Sequence, residues 1–206
     1  SFFFFFIGGA FACFLVFALS LKSGLSPLKL ILVGIAINAV FSGLIEAMIS
    51  VGATTSGVTS SNLMLKTWDD VSVIVVYGSI GLILAFAMYR WCNVLVLSDK
   101  TAKSIGFNVN FARVLIGAIA VLLSAVSVVV AGVIAFVGIL VPHIARRIVG
   151  HDHKILIPFT ALLGALIILV ADTVGRTIAA PIEIPASTIM AIIGGPFLIF
   201  LIRKDK

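Results

Sequence analysis

The sequence predicts an all-α, polytopic helical membrane protein, and three observations predict it. Hydrophobic residues make up 62% of the 206-residue chain and charged residues only 11%, where soluble domains carry about 25% charged residues. Mean hydropathy is +1.30. The apolar residues fall into seven runs punctuated by polar turns, and the cations gather on alternate turns. The net charge of +6 raises the question of nucleic acid. No basic stripe interleaved with exposed aromatics accompanies it, so no nucleic-acid partner is expected and membrane topology accounts for the charge.

A helix needs about 20 apolar residues to cross the hydrocarbon core, which sets the expected spans. Phe2–Leu21 is the first, followed by a short basic turn at Lys22–Lys29 that holds Gly24 and Pro27. Leu30–Ser50 is the second. Residues 51–70 make a polar outer loop, rich in Gly, Ser and Thr, with room for a short helix. Val71–Trp91 is the third span and ends in the interfacial anchors Tyr89, Arg90 and Trp91. Asn93–Arg113 is a polar loop, and Val114–Ala131 is the fourth span. Gly132 permits a reversal. Val133–Ile148 is a short fifth span, marginal in length and expected to break at Pro142. Ile155–Val174 is the sixth, Thr177–Pro185 a loop, and Ser187–Ile202 the seventh, closed by Arg203–Lys206.

Lys and Arg placement sets the orientation. With the turn after the first span inside, the inner side holds Lys22, Lys29, Arg90, Lys100, Lys103, Arg113, Arg146, Arg147, Lys154, Arg203, Lys204 and Lys206. The outer side keeps Lys66 and Arg176. Seven crossings, first residue outside and last inside, satisfy that bias.

The two cysteines, Cys13 and Cys92, lie far apart in apolar or membrane-edge segments and read as packing residues. The chain opens on Ser1 and FFFFF, with no initiator Met, no charged n-region and no small-residue cleavage site. A start inside a longer protein is the expectation.

The densest charge lies in GVIAFVGILVPHIARRIVGHDHK, residues 132–154. A Pro and His at a helix break, followed by Arg146 and Arg147 snorkelling to headgroups, need no partner. The histidines His151 and His153 lack the i, i+3 or i+4 spacing and the third ligand of a helical metal site. No metal is expected there, and Asp152 reads as the cap of the next helix. A secondary contact of this turn with a cytoplasmic partner remains open.

Several ordered motifs then carry a resemblance across nearly the whole chain. The run GxIxFVGxxVPHIxRxxxGxDHxxLxP at residues 132–158 is one. ALLGALIILVADTVGRT (Ala161–Thr177), EIPASTIMAIIGGPFLIFLI (Glu183–Ile202), SPLKLILVGIAINAVFSGL (Ser26–Leu44) and TAKSIGFN (Thr101–Asn108) accompany it. Together they resemble the permease family of bacterial ABC importers for iron–siderophores, haem and vitamin B12. The resemblance implies a type II ABC importer permease fold. At about 20 residues per span, the chain would be one transmembrane domain holding the last seven or so of the family's roughly ten helices. Ala186–Ser187 stand where the family often has Gly after its ELP motif, and a local packing change is expected there.

On its residues alone, the inner loop 98–113 is either an ordinary loop held inside by lysines or a compact helix–turn ended by Gly106. The resemblance favours a coupling segment docked on an ATPase, with Thr101, Ala102, Ile105 and Gly106 as central contacts. Asp172 and Arg176 form an i, i+4 pair near the outer end of the sixth span, which alone is a weak interfacial ion pair. The resemblance makes Arg176 the residue that receives a glutamate of a soluble binding protein, with Asp172 in support.

On the second span, Gly34, Asn38, Ser42 and Gly43 recur at helical spacing, a pattern that close helix packing explains. The resemblance sets this helix beside the translocation path, making Asn38 and Ser42 lining candidates. Glu46, one turn further out, is placed at the outer mouth or in a pair with Lys66. A carboxylate at that depth is a functional hypothesis by default.

No phosphate-binding loop, Ser/His/Asp set or paired carboxylates occur, so the chain reads as a permease and not an enzyme, with no cofactor of its own. The implied partners are cytoplasmic ATPase subunits, an extracytoplasmic substrate-binding protein, a second permease subunit (identical or not) and membrane lipid. The implied location is the bacterial cytoplasmic membrane. The segment MLKTWDDV (Met64–Val71) is similar to haem-transporting members, so haem or an iron–siderophore is the expected cargo, with vitamin B12 as the alternative. An ion-coupled secondary transporter would need midplane acidic residues, for which only Glu46 and Asp172 come into question.

Overall fold

The computed structural model describes residues 2–21, 27–52, 66–178 and 183–204. All regular structure among these residues is helical. The turn at 22–26, most of the outer loop (53–65), residues 179–182 of the next outer loop, and the last two residues lie outside the described residues.

Helices α1 (Phe2–Leu21) and α2 (Pro27–Ser50) coincide with the first two expected spans. The third begins slightly earlier than expected. Thr67 accepts the chain into α3 (Trp68–Val73) through a capping box in which its backbone N–H donates to Asp70 Oδ2 at 3.0 Å. A π turn (Ile74–Gly78) and α4 (Ser79–Ala87) complete that span. The helix stops at Met88, whose backbone leaves the helical region (φ −87°, ψ 6°), and restarts as α5 (Tyr89–Leu95). The expected loop beginning at Asn93 therefore opens three residues later. It contains a helix of its own, α6 (Asp99–Ser104), and α7 (Val109–Ala131) starts inside it.

The fifth span departs most from expectation. Pro142 does not break it: α8 runs uninterrupted from Val137 to Val149 with Pro142 inside. The proline forfeits one helical hydrogen bond, and the helix on either side holds its geometry. The departure from helix lies upstream, in residues 132–136, where Gly132 (φ 73°) and Phe136 (φ 67°) both take positive φ. At about 1.5 Å per residue, the 13 residues of α8 reach about 20 Å, short of the roughly 30 Å core. The non-helical stretch before α8 supplies the remaining length. Helix α9 (His153–Ile178) and helix α10 (Ala186–Lys204) then close the fold.

Among the described residues, four helices are by length and composition apolar enough to cross a membrane: Ile31–Ser50, Trp68–Ala87, Val109–Val128 and His153–Ile178. Ile7–Ser20 and Ala186–Phe197 are shorter apolar stretches of α1 and α10. With α8, they account for the seven runs seen in the sequence.

Lipid tails are as apolar as leucine, so helices in a membrane associate through close packing and small residues. Gly81 on α4 shows this best. A Cβ there would lie 2.6 Å from Leu123 Cδ2 on α7. At the outer end of α9 and α10, Ala171, Ala186, Ile189 and Met190 form a buried cluster, with Ile134, Val137, Ile167, Val174 and Ile184 packed around it. The chain's Ala186 is thus a core residue, 3% exposed. Helix α2 packs on α1 and leaves Ile31, Ile35, Val40, Leu44 and Met48 exposed.

Phe136 adopts its unusual left-handed backbone because α10 makes room for its ring. A Cβ on Gly194 would run into the Phe136 side chain. Gly194→Val should destabilise the protein by about 1–3 kcal/mol through overpacking, read as a lowered Tm in detergent. Phe136→Gly in the same chain should restore part of the loss, since it empties the contested space and accepts the positive φ.

Candidate coupling and docking sites

On the inner side, residues 96–113 fold into a closed, braced element. Ser98 caps α6: its Oγ accepts from Thr101 N at 3.2 Å and lies 2.8 Å from Thr101 Oγ1. At the other end Gly106, at φ 78°, turns the chain back. Gly106 N donates to Lys103 O (3.0 Å) and Phe107 N to Ala102 O (3.1 Å), the paired bonds of a Schellman ending. Asn108 then caps α7 by accepting from Phe111 N at 3.1 Å.

A two-pronged ion pair ties the start of α6 to α7. Arg113 Nη2 donates to Asp99 Oδ1 at 2.8 Å and Nη1 to Oδ2 at 3.1 Å. The Arg113 side chain is 15% exposed and that of Asp99 54%, so solvent still screens the pair in part and its two-pronged geometry is what favours it. From α5, the Trp91 ring meets Phe107 edge-on at 5.7 Å and Phe111 at 6.0 Å.

Of the four residues expected to touch a partner here, three face outward and one does not. Thr101 and Gly106 are exposed, and Ile105 is 64% exposed, an apolar knob on a polar turn. Ala102 is 1% exposed. The nearby Val109 and Ala112 are buried as well, so Ala102 offers almost no surface to a partner in this structure. Helical spacing alone does not say which side of so short a helix is covered, and the sequence reading missed this.

Asn93 on α5 is the residue the sequence reading overlooked. Its Nδ2 donates to Asp152 Oδ1 at 2.9 Å, and its Oδ1 accepts the His153 backbone N–H at 2.9 Å. The same oxygen lies 2.7 Å from His153 Nδ1. An amide oxygen already accepting a backbone N–H can only accept again, so Nδ1 carries the ring proton. Asp152 also accepts from Lys154 N at 3.0 Å, the expected cap of α9. The Asn93 amide first, and the Lys154 N–H second, hold the Asp152 carboxyl below the usual carboxylate range. Asp152 and His153 thus serve as anchors for Asn93. The only sequence signal was one amide at the end of an apolar run, beside the more conspicuous Arg90 and Trp91.

On the outer side, the expected i, i+4 pair is present: Arg176 Nε donates to Asp172 Oδ2 at 2.8 Å. Arg176 is the more exposed partner, 42% against 23%. Beside it, Gly175 lets residues 183–185 lie on the helix. Ile184 N donates to Gly175 O at 3.1 Å, and a Cβ at 175 would run into the Ile184 carbonyl.

Asn38, Ser42 and Glu46 recur every four residues along α2 and are all exposed. Asn38 lines an otherwise apolar groove of about 320 Å³ with Gly34, Gly9, Val16, Phe41 and Val121, between α1, α2 and α7. Among the described residues Glu46 does not pair with Lys66, and the ion pairs there are Asp99–Arg113 and Asp172–Arg176. Because α2 runs on to Ser50 before the chain turns, Glu46 stays on the helix wall.

The described residues form a helical protein with several helices long and apolar enough to cross a membrane, a braced helix–turn at 98–107 and an exposed arginine near the end of α9. The profile of the FecCD transport family matches residues 1–204, and the chain belongs to that family. It is 40% identical over 203 residues to a protein described as a haem-iron transport system permease protein, IsdF, of Staphylococcus aureus strain bovine RF122. The match covers 98% of this chain and 62% of that protein. IsdF of strain Newman matches at the same identity and coverage. A solved inward-facing conformation of a transporter assigned to the metal-chelate ABC type superposes with a TM-score of 0.82 at 30% identity. It covers 93% of this chain and 63% of that one. The chain therefore spans a little under two thirds of these relatives, and over nearly all of its own length it shares the fold of that solved structure.

Gly106→Val should loosen the inner element, since a β-branched residue at positive φ costs on the order of 1–2 kcal/mol. Limited proteolysis should then cut faster within residues 98–108, while the melting of the helical bundle changes little.

Proposed function

We propose that this chain is the transmembrane permease part of an ATP-driven importer that takes up an iron-containing chelate, haem or an iron–siderophore, delivered by a substrate-binding protein. The observation that carries the reading is the inner helix–turn. Its caps, Schellman ending and bidentate ion pair make it rigid, and its exposed tip offers Thr101, Ile105 and Gly106. A rigid element with an apolar knob transmits a push from a docked partner, where a loose lysine-rich loop would absorb it. The partner is a pair of cytoplasmic ATPase subunits, which hydrolyse the ATP that this chain has no site for.

In this reading Arg176, on the outer side, receives a carboxylate of the binding protein. Asp172 holds the Nε side of the guanidinium and orients the rest outward. A second permease subunit, identical or not, encloses the path against α2, whose Asn38, Ser42 and Glu46 are candidate lining groups. The assembly belongs in the bacterial cytoplasmic membrane. Closure of the ATPases drives the permease between two arrangements through the inner segments. The iron-chelate cargo is supported by the 40% identity to a protein described as a haem-iron permease and by the metal-chelate type of the structural neighbour.

Uptake into proteoliposomes holding the complete complex should require ATP and the binding protein; uptake driven by an ion gradient without the ATPase would overturn the reading. Ile105→Glu should weaken ATPase association at least about tenfold, as expected for an apolar anchor at the centre of a contact, and unchanged affinity would remove Ile105 from the interface. Arg176→Glu should weaken binding-protein docking by a similar factor through like-charge contact, measured by surface-immobilised binding, with the melting temperature unchanged.

A further inference from the structure

Helix α5 is gripped from two sides and released from a third. Above it, the backbone break at Met88 separates it from α4. Below, Trp91 packs against Phe107 and Phe111, which follow the inner helix–turn. On its remaining flank, Asn93 binds the foot of α9 through Asp152 and His153, residues 59 and 60 positions away in the chain. Seven residues thus join the ATPase-facing element to one particular helix. That helix is 26 residues long, about 39 Å at 1.5 Å per residue, and Arg176 stands in its last turn.

We propose that Asn93 is a positioning residue that fastens the inner helix–turn to the foot of α9, so that α9 carries displacement between the ATPase-facing side and the outer Arg176 end. The proposal rests on the importer reading above. Three hydrogen bonds converge on one short side chain, and they fix it in direction as well as position. An amide supplies a donor to the carboxylate and an acceptor to the N–H and ring N–H at once, which neither Asp nor Leu of similar size can do. The turn before α9 gives this joint a defined range, since Gly150 reverses the chain at φ 82° and Asp152 closes the helix end. α5 moves with the inner element and α9, while the Met88 break lets α4 stay behind. Linkage then requires that docking at the outer end alter the ATPase equilibrium, and the reverse.

The test uses the full-length permease assembled with its ATPase and binding protein in proteoliposomes. Asn93→Ala should leave basal ATP hydrolysis and the affinity for both partners close to wild type, while stimulation of hydrolysis by the binding protein falls at least about fivefold, the lower range of allosteric coupling. Asp152→Asn, which keeps the accepting oxygen, should retain most of the stimulation. Asn93→Ala with Asp152→Asn, which keeps the oxygen that caps α9, should be no worse than Asn93→Ala alone, as expected of one shared contact. Full stimulation in an assembled Asn93→Ala complex overturns the proposal. A second measurement needs no variant: in the wild type, ATPase docking should change amide hydrogen exchange across residues 150–156, and unchanged exchange there overturns the joint equally. A wild-type complex without ATP-dependent uptake counts against the importer reading, whereas normal uptake with a silent Asn93→Ala counts against the joint alone.

Discussion

In hydrocarbon, a backbone N–H or C=O that leaves a helix finds no water, so every departure from helix must be covered by protein. This constraint explains where the chain is irregular. Residues 132–136 run non-helically into α8, and α10 comes close to the end of that stretch because Gly194 carries no side chain against Phe136, while Val133 and Ala135 stay exposed. Residues 183–185 lie on α9 because Gly175 has none either. The two glycines do the same job at two sites, admitting irregular backbone to a place where a methyl group would hold it off. Elsewhere the chain obeys the simpler rule and stays helical across the bilayer.

The same constraint decides what was legible in the sequence. Apolar run length located α1, α2, α7, α9 and α10 to within a few residues, because crossing a fixed thickness demands a fixed number of residues. It misplaced the irregularity of the fifth span. A proline is a visible cue, and Pro142 drew attention from the less conspicuous pairing of Gly132 and Phe136, whose conformation depends on α10 some 60 residues later. No local pattern announces a left-handed phenylalanine. It exists because a distant glycine permits it.

The sites divide along similar lines. Asp172–Arg176 was legible because helical spacing alone brings the pair together. Gly106 was legible as a helix end because its role is local. The burial of Ala102 was not legible, because which face of a six-residue helix is covered depends on packing against α7. Asn93 was invisible because its partners lie 59 and 60 residues away, and the Asp99–Arg113 clasp spans a 14-residue separation that no helical repeat encodes.

The π turn at Ile74–Gly78 bears on how this span tolerates change. A π turn holds one residue more than the α-helical path, and each residue advances the face of a helix by about 100°. Everything after it is therefore rotated relative to α3, and that rotation brings Gly81 round to Leu123 on α7. Trp68 and the acidic first turn sit on one side of this phase change, and the glycine contact on the other. A single-residue deletion within 74–78 would yield a better α-helix and a worse protein. The outer end would keep its place while α4 turned its contact face to the lipid. Sequence length in this short stretch is therefore a matter of registry, and it is constrained even though the five residues themselves are largely exposed.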